Sequence, residues 1–214
     1  GAGTRGASLG VDAIKIAALD YGSTLFRQFD SVEIPTENQL LFESPGSPYA
    51  KRIRGIISMC EKVAVAIKNS LKGNEFPVVL AGDHSTSIGT VAGIRMAYPN
   101  KKLGVISIDA HADLHSPYTT PSGNIHGMCV AAFLGEDNAS NKMNKPDKDT
   151  LELWNRLKKL GNISPKIEYS DLVYISLRDV EPVPEVRQAP ALRRGCRRRT
   201  DRHRSLCASR SRDG

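Results

Sequence analysis

No apolar run in the sequence is long enough to cross a bilayer, and there is no secretory leader. A membrane span or an exported product is therefore not expected. Cysteine is scarce, and Cys60, Cys129, Cys196 and Cys207 show no CxxC spacing. That removes the common zinc-ribbon and dithiol motifs and makes a reduced, cytoplasmic compartment the expectation. A basic surplus is also missing from most of the chain. The formal charge is +7, yet residues 1–182 hold 20 Lys and Arg against 20 Asp and Glu. The body thus offers no electrostatic reason to bind nucleic acid or a membrane surface. There is no opening methionine before GAGTRGASLG, so the chain is expected to begin inside a longer protein.

With 214 residues, 40% of them hydrophobic, the chain can pack one ordinary α/β domain. VDAIKIAAL (11–19) has helical spacing, and residues 29–36 suit a strand and its exit. The longest helical pattern covers 49–71, where Ile53, Ile56, Ile57, Cys60, Val63, Ala64, Ile67 and Leu71 share a stripe. Lys72-Gly73-Asn74 stops it. FPVVLA (76–81), residues 103–108 and DLVYISL (171–177) read as short, fully buried strands. Between them come helices over 86–97 and from Gly127 to Leu134, a polar loop over 136–148, and an amphipathic helix over 150–160. That last helix is expected to bury Leu151, Trp154, Leu157 and Leu160, and Met59 and Met96 are expected in the core. Strands alternating with helices predict a three-layer α/β/α fold with a mainly parallel sheet.

In such a fold, sites form beyond the C-terminal ends of the strands. Three polar clusters fall there: Asp83-His84, Asp109–Asp113 and Arg178–Glu181. The stretch DAHADLHSPYTTPSGNIHG, residues 109–127, holds His111, His115 and His126. In extended chain a spacing of two puts Asp109, His111 and Asp113 on one side. With His84 they make two imidazoles and two carboxylates, a donor set suited to Mn, Fe, Ni or Zn. Two carboxylates can bridge two ions, and paired ions can hold a hydroxide at neutral pH. The four side chains are expected to converge. His126 is placed to carry a proton, while Ser122, Gly123 and Asn124 offer donors to a carboxylate. The plainer alternatives are a helix cap at Asp83-His84-Ser85, a simple turn at SGNIHG, and a chance His-x-Asp.

Three segments, AGDHS (81–85), SIDAHADLHSPYTTPSGNIHG (107–127) and YISLRDVEP (174–182), closely resemble the ureohydrolase family, its arginase branch most of all. TRGASLGVDAI resembles the loop after the first strand of that family. The resemblance implies an arginase-type fold, here incomplete, and hydrolysis of L-arginine to L-ornithine and urea at a centre of two Mn(2+) ions. By the same resemblance His84 binds one ion and His111 the other, Asp109 and Asp113 bridge them, and His126 is the proton shuttle. Ser122 and Asn124 hold the substrate α-carboxylate together with position 115, and Asp179 and Glu181 approach the α-amino group. SGN before HG is closer to arginase than to agmatinase, which has no carboxylate to bind. A homo-oligomer is the family habit.

The sequence departs from the family pattern at His115, where Asn is usual, and at Glu181, where Asp is usual. A larger departure lies further on. No Asp-x-Asp follows residue 182, and neither does the acid expected to receive the guanidinium. Residues 183–214 contain 10 arginines, no lysine and three acids, whereas the body uses 13 lysines to seven arginines. This switch suggests a frameshifted or mispredicted end, with 1–182 a partial arginase-like domain and 183–214 a disordered, non-family tail. His203 lies in that tail. An arginine-rich RNA-binding segment is the competing reading of the tail. For the chain as a whole the alternatives are an agmatinase- or formimidoylglutamase-type ureohydrolase, or an inactive metal-binding fragment.

Overall fold

The structure, a computed structural model, describes residues 6–178. Asp179, Glu181 and the arginine-rich tail, expected to be extended and poorly ordered, lie outside the described residues. Two compact units divide the chain. One comprises the residues up to Lys101 together with Asp113–Lys166; the other comprises Lys102–Ala112 and the residues from Ile167 onward.

The first unit is helical: α1 (Gly10–Asp20), α2 (Leu25–Gln28), α3 (Ile53–Lys72), α4 (Ser87–Ala97), α5 (Cys129–Leu134) and α6 (Lys148–Lys158). Apolar residues at helical spacing give α3 one continuous face, which buries Ile53, Ile56, Ile57, Cys60, Val63, Ala64 and Ile67. Burial pushes the Cys60 thiol up to about 12. The helix stops at Gly73. Helix α4 crosses α3 closely because two glycines, one turn apart, face it. A Cβ on Gly89 would lie 2.5 Å from the Cys60 carbonyl oxygen, and one on Gly93 would lie 2.6 Å from that of Ala64. The short α5 is buried along its whole length. It ends at Gly135, whose φ of 73° is left-handed. By contrast, α1 buries no residue, and Ile14, Ile16 and Leu19 are exposed.

In α6 the buried stripe is Thr150, Leu153, Trp154 and Leu157, with Leu151 only half-buried. Of the expected set, Trp154, Leu157 and Leu160 are buried, Leu160 in the turn just after the helix, and only Leu151 is not. Steps of three drift about 60° each around the axis, so the face followed back from Trp154 and Leu157 falls on Leu153 and Thr150 instead. The observed spacing of three, then one, then three stays on a single face. Asp147 caps the helix by accepting from the Thr150 amide at 2.7 Å. Met59 and Met96 are half-buried rather than central.

The second unit holds the sheet. β1 (Val105–Ile108) and β2 (Leu172–Ile175) pair in parallel, Val105 opposite Leu172 through Ile108 opposite Ile175. The pairing continues past the strands, since the Asp109 amide donates to the Ile175 carbonyl at 3.2 Å and the Arg178 amide to that of Ala110 at 2.9 Å. The Tyr174 hydroxyl donates to the Ala112 carbonyl at 2.6 Å. Asp109 thus leaves the C-terminal end of a parallel strand, as expected. Alternation along the strands puts Ile106, Ile108, Val173 and Ile175 on a face that stays exposed, so these two strands are not buried on both faces as expected.

The α/β class and the parallel pairing agree with the sequence reading, and the sheet has two strands among the described residues. Two expected strands are absent from it. Residues 29–36 follow α2 without regular structure, and 76–81 form no ladder. Phe76 and Val78 are 91% and 77% exposed, where burial was expected. A strand needs a partner for its backbone groups, and no described ladder reaches this segment. Among the described residues no helix is long and apolar enough to cross a membrane.

Two consequences can be measured. Gly89→Ala gains helix propensity, yet its Cβ meets the α3 backbone; a net loss of about 1–3 kcal/mol is expected in denaturant unfolding. Gly104→Ala, whose Cβ would make ordinary contact with the Asp171 carbonyl at 3.6 Å, should change much less. The second consequence concerns Lys166. Burial lowers its pKa from 10.5 to about 8, so above pH 8 the unfolded chain binds more protons than the folded one. Stability should therefore rise with pH between about 8 and 10.5 and stay at its lower level below pH 8. In Lys166→Met that rise should vanish.

Candidate metal centre

The turn that carries His84 is tied by short-range bonds. The Asp83 carboxylate accepts from the Ser85 amide at 2.8 Å and from its hydroxyl at 2.6 Å. The Thr86 hydroxyl donates to the Asp83 carbonyl, and the Ser87 hydroxyl to that of His84 at 2.7 Å. Asp83 is thus the cap of the turn that opens α4, as one reading of the sequence held. His84 stands on that turn with its ring turned to Asp113.

Asp113 comes from a different part of the chain. Its backbone is left-handed, with a φ of 50°, a conformation Asp tolerates better than most residues. In this pose its carbonyl accepts from the amides of Val130 and Ala131 at 3.1 and 3.3 Å. These are first-turn amides of α5 that have no partner inside the helix. Its carboxylate then meets His84, with Nδ1 to Oδ2 at 2.5 Å. The two side chains are 33% and 10% exposed. An imidazole nitrogen facing a carboxylate oxygen in a half-buried spot is a donor set that fits a borderline divalent ion.

A third group lies beside them. Ligand atoms of His84, Asp113 and Cys129 all lie within 4.8 Å of one another. The Cys129 thiol donates to the carbonyls of His84 and His126 at 3.2 Å each. Burial first, and the Asp113 carboxylate next, hold this thiol well above the usual thiol range. The sequence reading missed Cys129. The available signal was its place three residues after His126, at the start of an apolar helix.

Asp109 and His111 belong to the second unit, where they stay together. The His111 amide donates to Asp109 Oδ1 at 2.9 Å, and its Nδ1 is 3.4 Å from the same oxygen. The remaining candidates line the loop that leads to α5. The His115 amide donates to the Gly127 carbonyl, and its Nδ1 is 3.2 Å from the Thr119 hydroxyl oxygen. Ser122 is exposed and accepts from the Asn124 amide at 3.2 Å. His126 is half-buried, and among the described residues its buried Nδ1 has no hydrogen-bond partner.

This loop is suspended from both sides. Gly123, with a φ of 73°, packs so tightly on Pro48 that a Cβ would overlap the Pro48 carbonyl oxygen. Its own carbonyl accepts from the Lys51 amide at 2.8 Å. On the other side, the Ser116 hydroxyl donates to the Asp137 carbonyl at 2.5 Å, and the Asn138 side chain donates to the Leu114 carbonyl. The Asn144 side chain donates to the carbonyls of Pro117 and Thr120. Asp137 is in turn fixed by α6, accepting from Trp154 Nε1 at 2.8 Å and pairing with the buried Lys158 at 2.6 Å. Trp154 was read as core alone; it is core and also a donor.

The model of the arginase family matches residues 1–204, which extends past the boundary at 182 drawn from the sequence. The arginase of Bacillus caldovelox is 32% identical over 179 residues, 83% of this chain and 54% of that protein. The arginase of Bacillus subtilis is 34% identical over 186 residues, 85% of this chain and 55% of that one. A crystal structure of arginase from Bacillus subtilis superposes with a TM-score of 0.63 at 31% identity, covering 88% of this chain and 58% of that one. The chain spans about half the length of the curated relatives it matches.

The suspension of the loop from α6 is testable. Asp137→Ala leaves the Lys158 ammonium, 8% exposed, without its carboxylate, and a loss of about 1–3 kcal/mol is expected. Lys158→Met removes the charge together with the bond and should cost less. Urea denaturation of the two variants gives the order, and a larger loss for Lys158→Met would refute this account of the pair.

Proposed function

Because the chain belongs to the arginase family, we propose that it is built as an arginase-type amidinohydrolase. It would act on the carbon–nitrogen bond of a linear amidine, L-arginine, giving L-ornithine and urea. The observation that carries the reading is the His84–Asp113 pair at 2.5 Å. It joins two of the motifs on which the family resemblance rests.

In this reading His84, Asp109, His111 and Asp113 would be the residues that hold the metal ions. Two manganese ions are what the resemblance implies, and the mixed nitrogen and oxygen donors suit them. When bound, such ions supply Lewis acidity and a water activated at neutral pH. The protein does the rest. Ser122, Asn124 and His115 hold the α-carboxylate on a loop kept in place by Gly123, and Asp179 and Glu181 receive the α-amino group. Hydrolysis adds an oxygen to the guanidinium carbon and a proton to the departing amine nitrogen. His126 carries that proton at Nε2, because its Nδ1 is buried. The expected cytoplasmic location and homo-oligomeric state belong to the same proposal.

Two other readings stay attached to specific features. The absence of an Asp-x-Asp after residue 182 favours metal binding with poor turnover by these 214 residues alone. His115 in place of the usual Asn favours a different amidine, of the agmatinase or formimidoylglutamase type. The tail offers a weaker case for RNA, which salt-dependent binding lost on deleting 183–214 would expose.

The test is urea release with MnCl2 supplied. The chain as it stands should release little urea from L-arginine, and a version joined in frame to an arginase C-terminal third should release it readily. In the joined version Asp113→Ala should lower manganese affinity by at least about tenfold. Comparable turnover by the unjoined chain would show that the missing ligands are supplied by residues not identified above. Turnover of agmatine in preference to arginine would overturn the substrate assignment.

A further inference from the structure

The manganese reading uses nitrogen and oxygen donors, but the geometry around His84 contains a sulfur as well. Cys129 Sγ, His84 and Asp113 contribute ligand atoms within 4.8 Å of one another. Three features make this more than a nearby thiol. The sulfur is held in place, since Cys129 is fully buried at the start of α5. The same helix start fixes Asp113, through the bonds from Val130 and Ala131 to its carbonyl. The thiol donates to the carbonyl of His84 itself, so sulfur, imidazole and carboxylate are positioned by one set of contacts. Cys60, the other described free cysteine, is also buried, but its Sγ donates to the Ser85 carbonyl and it is no part of this group.

We propose that Cys129 is a third protein donor to the ion held by His84 and Asp113, so that this end of the centre prefers a thiophilic divalent ion, cobalt or zinc, over manganese. The proposal rests on the reading of His84 and Asp113 as metal ligands. Ligation breaks the S–H bond, releases the proton to solvent and forms a sulfur–metal bond; no electrons are transferred and no further reactant is needed. Thiolate in a mixed site favours Co and Zn, whereas oxygen donors favour Mn. Bond lengths of about 2.3 Å to sulfur and about 2.0–2.2 Å to nitrogen and oxygen put neighbouring ligand atoms in a tetrahedral shell roughly 3.5 Å apart. The ligand atoms of the group, within 4.8 Å of one another, are already near that spacing.

The experiment titrates CoCl2 into the full chain carrying Cys196→Ser and Cys207→Ser, which leaves Cys60 and Cys129 as the only thiols. A near-ultraviolet sulfur-to-cobalt charge-transfer band is expected beside the visible d–d bands. Cys129→Ser should abolish the charge-transfer band, keep the d–d bands, and weaken cobalt binding by about tenfold to a hundredfold. Manganese affinity should fall by less than about tenfold. Cys129→Ala serves as a second variant should the serine disturb packing, and Cys60→Ser should leave the band intact. Visible bands without the charge-transfer band in the parent chain would overturn the role of Cys129 and leave His84 and Asp113 as ligands. A band lost with Cys60→Ser instead would overturn it as well. Absence of any cobalt or manganese binding would sink the reading of His84 and Asp113 along with it.

Discussion

The carbonyl oxygen of Asp113 accepts from two amides in the first turn of α5, and the candidate centre is organised by that contact. A helix leaves its first amides unpaired, and α5 is buried, so these groups need an acceptor inside the protein. Asp113 reaches them by turning left-handed. In that pose its carboxylate faces His84, and Cys129 is brought beside both. His84 is fixed in its turn by the bonds around Asp83, and the helix that follows is fixed by the closeness of Gly89 and Gly93 to α3. One backbone acceptor thus connects the α5 end of the first unit to the α3–α4 packing.

Legibility in the sequence followed physical range. The α3 stripe was plain because a twenty-residue helix repeats its pattern several times over. The strands at 105–108 and 172–175, and the exit of Asp109 from the first of them, were plain because short β-rich runs ended in polar clusters. Residues 76–81 looked the same but form no strand. Their fate depends on a neighbouring ladder, and local composition carries no information about neighbours. The α6 stripe was legible at Trp154, Leu157 and Leu160 and missed only at its first turn, where Leu153 rather than Leu151 is buried, because an every-third pattern drifts off a helix face within a turn or two.

Among the candidate residues, pairing within one short segment was foreseeable, as for Asp109 with His111. The contact of His84 with Asp113 spans 29 positions; the placement of both residues just after apolar runs pointed to it, and so did the family resemblance. Cys129 and the clamp formed by Asp137, Asn138 and Asn144 were not foreseen. Polar residues on a loop of unremarkable composition gain their meaning from the backbone carbonyls they meet. Trp154 shows the same limit, since its apolar bulk was legible and its indole donor was not.

Gly123 bears on how this sequence can drift over time. Its left-handed backbone and its seat against the Pro48 carbonyl leave no room for any side chain, so every missense change at that codon is disfavoured for two independent reasons. Pro48 is equally constrained in position, although nothing about its own chemistry requires it. A lineage that altered the length of either segment would need to change both together. Variation should therefore collect in exposed stretches outside this contact, and the loop from Ser116 to Asn124 should keep its length even where its side chains change.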